Sequence, residues 1–493
     1  MFRKIFSYGS LAILSVLIQL IIIIYAVTAG SKVPAVGLFY YILTIVCVFH
    51  IISSDMPMGY KLSWVVPMLI FSTYGGVLYL ILNKQHSINA LHHKMEPYLN
   101  KYIKKIKGLP PENNIQKYLS NSMKFPLLES QKSHYFSSGE ILFDEMLKKI
   151  SEAKHYIYLE FFIFADGVAW NKLESLLKIK ASEGIKIRII GDGAGCLFIK
   201  PYKLSERLKS IGIEYREFNP VGLRITGRVN YRSHRKILVC DGKYAFCCGI
   251  NISDEYMNYK ERFGKWKDTG VMVSGKAAMS FSAMFSGMWH YLSGEEDALF
   301  VDCIEHEQNK NTTLVQPFSD SPLDKSSIGL RAYLSLIATA KNSVFLTTPY
   351  LICDDEMLNA LRIAAMRGVK VKIITPGVPD KRYVYTLTRS HYKSLLESGV
   401  EIYEYSLGFI HSKTLLIDEE TAIIGSINFD YRSMYLLFEC ACVFYNGTAV
   451  EELKEDLNKT FSFCTKIKYE EVIKTNLIVR IVRGFLKLFA PLM

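Results

Sequence analysis

One short stretch occurs twice, and it limits the folds open to this chain. The first copy reads His234-Arg235-Lys236-Ile237-Leu238-Val239-Cys240-Asp241, with Gly249-Ile250-Asn251 following. The second reads His411-Ser412-Lys413-Thr414-Leu415-Leu416-Ile417-Asp418, with Gly425-Ser426-Ile427-Asn428 following. His, Lys, Asp and Asn keep a constant offset of 177 residues. The four residues between Lys and Asp read as a buried strand. Charge at both ends of a buried strand needs a reason. A single copy would pass for a surface strand with solvated ends. Two copies in register imply two similar half-molecules. If they pack across a pseudo-two-fold axis, two His and two Lys converge on one pocket.

Such a pocket suits a phosphodiester. Lys ammonium groups and Asn amides hold the non-bridging oxygens, whose charge grows in the transition state. One imidazole attacks phosphorus and forms a phosphohistidine. The other protonates the departing alkoxide, then deprotonates the incoming acceptor. An imidazole titrates near neutrality, which fits both tasks. Lys is a poor metal ligand and His-x-Lys is not a ligand pair, so neither metal nor other cofactor is expected. The net charge of +12 favours an anionic partner, nucleic acid or an anionic membrane.

Both stretches resemble the paired HKD motifs of the phospholipase D superfamily. The flanks are similar to bacterial cardiolipin synthases. In the first half these are Asn230-Tyr231-Arg232-Ser233, Ile252-Ser253-Asp254-Glu255-Tyr256 and Trp266-Lys267-Asp268-Thr269-Gly270. In the second they are Thr348-Pro349-Tyr350, Pro376-Gly377-Val378-Pro379-Asp380, Tyr403-Glu404-Tyr405, Gly408-Phe409-Ile410, Asn428-Phe429-Asp430-Tyr431-Arg432-Ser433 and Phe438-Glu439. One departure is Cys248-Gly249, where the family usually carries Gly-Gly; Cys is small enough to be tolerated.

The resemblance implies transmembrane helices followed by an α/β part, two tandem phospholipase D-like α/β/α domains in pseudo-two-fold arrangement. It implies a bacterial cell-membrane enzyme that transfers a phosphatidyl group between two phosphatidylglycerol molecules, giving cardiolipin and glycerol. It favours His234 as nucleophile and His411 as general acid and base, an order the residues themselves leave open. Lys236, Lys413, Asn251 and Asn428 would hold phosphate oxygens, with Ser426 adding a hydroxyl. Asp241 and Asp418 would support the site without moving protons. Each imidazole needs a group to fix its tautomer; Asp268 is expected to serve His234, and Glu439 to serve His411. Glu160 and Asp166 follow an early strand and are weaker pocket candidates. Alternatives are another phosphatidyltransferase, a lipid-hydrolysing phospholipase D, a membrane-tethered nuclease and a scaffold with a dead repeat.

Three apolar stretches, residues 5–28, 34–52 and 62–82, approach the length of a membrane span. They make residues 1–83 a membrane anchor of three helices, or of two with the first segment lying at the interface. Lys84, Lys94, Lys101, Lys104, Lys105 and Lys107 follow the third, against Arg3, Lys4 and Lys61 on the other side. The heavier basic side lies in the cytoplasm, which puts the catalytic part there too. Residues 84–132 read as a basic connector with a helix near 89–106. Residues 133–310 and 311–475 alternate helix and strand, and 295–325 read as the junction between halves. Residues 476–493 place Arg480, Arg483 and Lys487 at helical spacing among apolar residues, a basic amphipathic helix for anionic lipids. These membrane features argue against nucleic acid as partner; oligomeric state stays open. The ten Cys, none in C-x-x-C spacing, read as buried reduced thiols.

Overall fold

A computed structural model describes residues 8–82, 95–197, 201, 203–221, 230–300, 312–323 and 327–492. Two mixed sheets organise the α/β part. The first runs in the order Ser133–Phe136, Gly270–Ser274, Tyr244–Cys248, Ile237–Cys240, Tyr156–Phe161, Lys186–Asp192, Glu214–Phe218. The second runs Thr313–Asp320, Leu437–Tyr445, Thr421–Gly425, Thr414–Ile417, Ser343–Thr347, Lys370–Pro376, Glu401–Tyr405. Leu128–Ser130 extends the second sheet at one end and Cys464–Lys466 at the other. Strand order is therefore the same in both halves. In each, the last three strands of the run are parallel and joined through helices, while the motif strand pairs antiparallel on both sides.

The motif strands are central, which explains their unbroken apolar runs. Ile237–Cys240 and Thr414–Ile417 are buried at every position. Burying such aliphatic side chains contributes roughly 1.5–3 kcal/mol each. Helices Gly139–Glu152 and Val168–Ser182 pack on the first half, and Asp355–Met366 and Arg382–Glu397 on the second. Helix Lys276–Ser293 is buried from Ala277 to Trp289 and touches strands of both sheets. One apolar cluster joins the halves; within it Cys247 Sγ lies 3.5 Å from Cys440 Sγ. Eight of the nine described Cys are buried.

Several sequence expectations need correction. The apolar stretch 62–82 is two helices, Met58–Ile70 and Ser72–Leu82, broken at Phe71 just after Pro67. Phe71 leaves the helical region, with φ of −113° and ψ of 57°, and ends the first helix four residues beyond Pro67. Tyr8–Ser31 and Pro34–Ile52 are single helices. Among the described residues, Pro34–Ile52 is the helix long and apolar enough to cross a membrane by length and composition. It packs on Ser72–Leu82, where Thr44 Oγ1 donates to Ser72 O (2.5 Å) and accepts from Gly76 N (3.0 Å).

The connector and junction are not plain linkers. Residues 95–103 are helical as expected, whereas 83–94, with Lys84 and Lys94, lie outside the described residues, as do Arg3 and Lys4. Leu128–Ser130 pairs with Thr313–Val315, so the connector ends in the second sheet. The junction holds the strand Thr313–Asp320, paired along its length with Leu437–Tyr445.

The terminal helix Leu477–Phe489 is capped by Asn476, whose side chain accepts from Val479 N (2.9 Å). It packs on Arg382–Glu397 and on Met58–Ile70. Ser63 Oγ donates to Leu488 O (2.7 Å), and Tyr60 sets its ring edge-on to Tyr431 and Tyr435. Leu477, Ile478, Ile481 and Phe485 stay exposed.

Candidate active site

Each half sends a strand end into the other. Arg232–Ser233 pairs in parallel with Leu437–Phe438, and His234 N donates to Phe438 O (2.8 Å). In return, Lys267 bridges Ile410, and His411 N donates to Lys267 O (2.7 Å). Both imidazoles are thereby pinned at the seam between halves.

The carboxylates cross the same seam. His234 Nδ1 is 2.7 Å from Glu439 Oε1, and His411 Nδ1 is 2.6 Å from Asp268 Oδ2. Asp268 and Glu439 were the expected orienting groups, but the pairing is exchanged: Glu439 serves His234 and Asp268 serves His411. Register gives the reason. Gly270 lies opposite Cys248, as Ala441 lies opposite Gly425. The two carboxylates thus hold equivalent places, two residues before Gly270 and Ala441, Glu439 on its strand and Asp268 just ahead of one. With Nδ1 engaged, each ring has only Nε2 left for substrate. Gly249 is required here, since a Cβ on it would sit 2.0 Å from Asp268 Oδ1.

Charge is concentrated and dry. Lys236 Nζ donates to His234 O (2.6 Å), and Lys413 Nζ donates to His411 O. Both lysines are buried. Burial, helped by the charge of Lys236, brings Lys413 down to about 7, against the upward pull of Asp268 and Glu439. Burial, then Lys236, Lys413 and Arg432, hold His234 well below the usual imidazole range. Burial and Lys413 draw His411 down to about 3 against the pull of Asp268. Both lysines act on both rings, so the two motifs share one electrostatic site. Among the described residues no group of three or more His, Cys, Asp and Glu is placed to hold a metal.

The two carboxylates differ. Burial pushes Glu439 up to about 8, opposed by Lys236 and by the hydroxyls of Ser426 and Ser433. Burial also pushes Asp268 upward, but His411, Lys413 and the Thr269 amide outweigh it and leave the carboxyl below its ordinary value.

Other expected site residues fall elsewhere. Asp241 and Asp418 do not line the pocket. Each sits at the far end of its motif strand, in the left-handed region with φ of 55° and 51°. Asp241 accepts from the amides of Lys154, His155 and Tyr156, and Asp418 from those of Lys341, Asn342 and Ser343, all at 2.7–2.8 Å. They tie the motif strand to the start of its neighbour. Ser426 does not face substrate either: its hydroxyl donates to Glu439 Oε2 and accepts from Cys440 N (3.0 Å). Asn251 is held at both ends, accepting from Ile163 N (3.1 Å) and donating to Tyr256 OH (2.7 Å). Asn428 Oδ1 is buried without a hydrogen-bond partner among the described residues. Glu160 is buried and accepts from Ser233 Oγ (2.6 Å), one residue from His234, while Asp166 is exposed.

Aromatic walls were missed in the sequence. Trp266, Tyr256 and Phe409 place ring centroids 5.2, 5.4 and 5.8 Å from His411. Trp266 Nε1 also donates to Asp268 Oδ2 (3.3 Å), fixing the carboxylate from behind. Phe162 lies 5.5 Å from His234. Trp266 stands two residues before Asp268, and that spacing was the available signal.

Comparison with known proteins agrees with this geometry. The family model described as cardiolipin synthase, PLD-like domain, matches residues 146–289 and 333–461. A second, described as Phospholipase D-nuclease N-terminal, matches residues 42–82. An uncharacterized protein of Streptococcus mutans serotype c is 37% identical over 90% of this chain and 99% of its own length. A cardiolipin synthase of Alkalihalophilus pseudofirmus is 32% identical over 88% of each chain. The crystal structure of phosphatidylserine synthase from Haemophilus influenzae matches in fold, with a TM-score of 0.59 at 15% identity over 77% of this chain and 98% of that one.

Proposed function

The chain belongs to the cardiolipin synthase family of phospholipase D-like proteins, and on that premise we propose that it joins two phosphatidylglycerol molecules into cardiolipin and free glycerol. It is a phosphatidyltransferase of the phospholipase D type. The observation that carries the transfer mechanism is the pair of crossed imidazole–carboxylate contacts at the seam.

His234 Nε2 attacks phosphorus of the first lipid. The P–O bond to glycerol breaks, and the glycerol oxygen takes a proton from His411 Nε2. A phosphatidyl-His234 remains. A primary hydroxyl of the second lipid then gives its proton to His411 as its oxygen bonds phosphorus and the P–N bond breaks. His411 is the better acid and base because ionised Asp268 stabilises the imidazolium that forms and re-forms. Lys236 and Lys413 meet the charge on the non-bridging oxygens. With phosphate bound, a new anion faces both lysines and both rings, which raises the low basicity of the empty site.

The reading extends to setting. The two halves relate by a pseudo-two-fold axis, with one active site on it. The apolar N-terminal helices cross a bacterial cell membrane more than once, and the catalytic halves lie on its cytoplasmic side with the terminal helix on anionic lipid. Tethering keeps a lipid acceptor at high local concentration relative to what free diffusion supplies. Incubating purified protein with phosphatidylglycerol and weighing the lipids by mass spectrometry tests the reading. Cardiolipin with one glycerol released per molecule supports it; phosphatidic acid as the main product refutes it.

A further inference from the structure

A narrow cleft open to solvent lies beside the His411 half of the site, reached through Phe409. Phe409 forms one wall, and its ring also packs on His411 and on Trp266. Tyr350 stands 6.2 Å from Phe409, centroid to centroid. Tyr350 OH donates to Asp380 Oδ2 (2.6 Å), and Lys381 Nζ donates to the same oxygen (2.7 Å) and reaches Tyr350 OH (3.2 Å). Asp380 acts electrostatically on the Tyr256 phenol, whose ring lies edge-on to His411. Pro349, Pro376 and Pro379 stiffen the rim. Phe162, which walls His234, is not part of this cleft.

Position and chemistry point the same way. A group transfer through a covalent intermediate uses one acid–base group for both half-reactions, so the leaving alcohol and the incoming alcohol occupy the same side. Here that side is His411's. The cleft offers a carboxylate and a phenol for hydroxyls, aromatic faces for C–H groups, and one positive charge balancing one negative. This suits a neutral polyol. Lys381 is half exposed at the mouth, where a lipid phosphate would continue from the polyol.

We propose that this cleft is the glyceryl subsite, holding glycerol as it leaves and the glyceryl head group of the second phosphatidylglycerol as it enters. Asp380 and Tyr350 select hydroxyls, and Lys381 takes the acceptor's own phosphate. The proposal rests on the transfer reading above. In the first half-reaction the bound glycerol oxygen gains a proton from His411 as its bond to phosphorus breaks. In the second the bound hydroxyl loses its proton to His411, its oxygen bonds phosphorus, and the bond to His234 breaks.

Competing acceptors test it. Full-length protein in detergent micelles is given phosphatidylglycerol with isotope-labelled glycerol and ethanol together. Labelled phosphatidylglycerol and phosphatidylethanol are then counted. The wild-type protein is expected to favour glycerol. Asp380→Asn and Tyr350→Phe should lower the glycerol-to-ethanol ratio roughly tenfold, the scale of one hydrogen bond to a charged group. Half-saturating glycerol should rise in step. An unchanged ratio in both variants, or equal loss of both products, overturns the subsite and leaves the transfer reading standing. Wild-type protein that yields phosphatidic acid and neither alcohol product overturns both.

Discussion

The two halves share strand order, motif and hairpin, yet they give their imidazoles different surroundings. His234 faces Glu439, which burial pushes up to about 8 and which Ser426 holds from behind. His411 faces Asp268, held below its ordinary value and gripped by the Trp266 indole. His411 also sits among three aromatic rings, whereas Phe162 is the ring found beside His234. The two halves supply two similar imidazoles, and on the roles proposed above the carboxylate beside each one divides the work. A firmly ionised partner suits a ring that must carry a proton through each cycle. On the proposed roles, a neutral His234 whose Nδ1–H donates to Glu439 Oε1 leaves the Nε2 lone pair free for phosphorus.

Removing either ring breaks the comparison outright. His234→Ala and His411→Ala should each lower cardiolipin formation by roughly 10²–10⁴-fold or more. They differ in a second readout. With an activated aryl phosphodiester, whose leaving group needs no acid, His411→Ala should still form a covalent phospho-enzyme. His234→Ala should not, and intact-protein mass spectrometry distinguishes them. The reverse pattern would exchange their roles.

The carboxylates sharpen it. Asp268→Asn should cost roughly 10²–10⁴-fold in kcat, the scale on which orienting carboxylates act. Glu439→Gln should cost about tenfold, because a glutamate pushed toward protonation differs less from its amide. Both variants should shift the pH profile of kcat, which a purely structural loss would not do. Equal losses would mean that the two sides are alike after all.

The buried lysines give a pH test. Lys413 falls from its ordinary 10.5 to about 7, so in the empty site it loses its proton as pH rises through 7. An anion restores the proton on binding. Affinity for dibutyl phosphate should therefore fall by up to about tenfold per pH unit above 7, with proton uptake visible by calorimetry in buffers of different ionisation enthalpy. Pairing charge with charge at constant affinity from pH 7 to 9 would contradict the dry site.

The smallest effect belongs to the hairpin aspartates. Asp418→Ala should cost about 1.5–3 kcal/mol of stability through lost amide partners and change kcat little. Burial pushes the Asp418 carboxyl up, but the amides of Ser343, Lys341 and Asn342 outweigh it and hold it below its ordinary value. Its contribution is thus present at neutral pH and lost as pH falls through that depressed value. Thermal melts at pH 7 and pH 3 check both statements.

Much of this was legible in residues alone. The repeat fixed both imidazoles, both lysines and the central strands. Asp268 and Glu439 stood out as carboxylates, but their exchange did not, because local spacing says nothing about which half a strand end enters. Asp241 and Asp418 read as site residues through their place in the motif; a strand of only four residues carries them to its opposite end. Thr313–Asp320 was hidden by Pro317, which argues against a central strand. Leu128–Ser130 covers only Thr313–Val315, so Pro317 lies where the strand has a free side and needs no amide hydrogen there. The split at Phe71 is a matter of local backbone angles, which hydropathy alone does not reveal.

The crossed contacts also bear on how the protein is made. His234 leaves the ribosome some two hundred residues before the glutamate that will orient it. On the roles proposed above, a growing chain that already holds one full motif carries an imidazole that nothing yet aims. Its orientation waits until the far half, which holds Glu439, has been synthesised, folded and seated on the first.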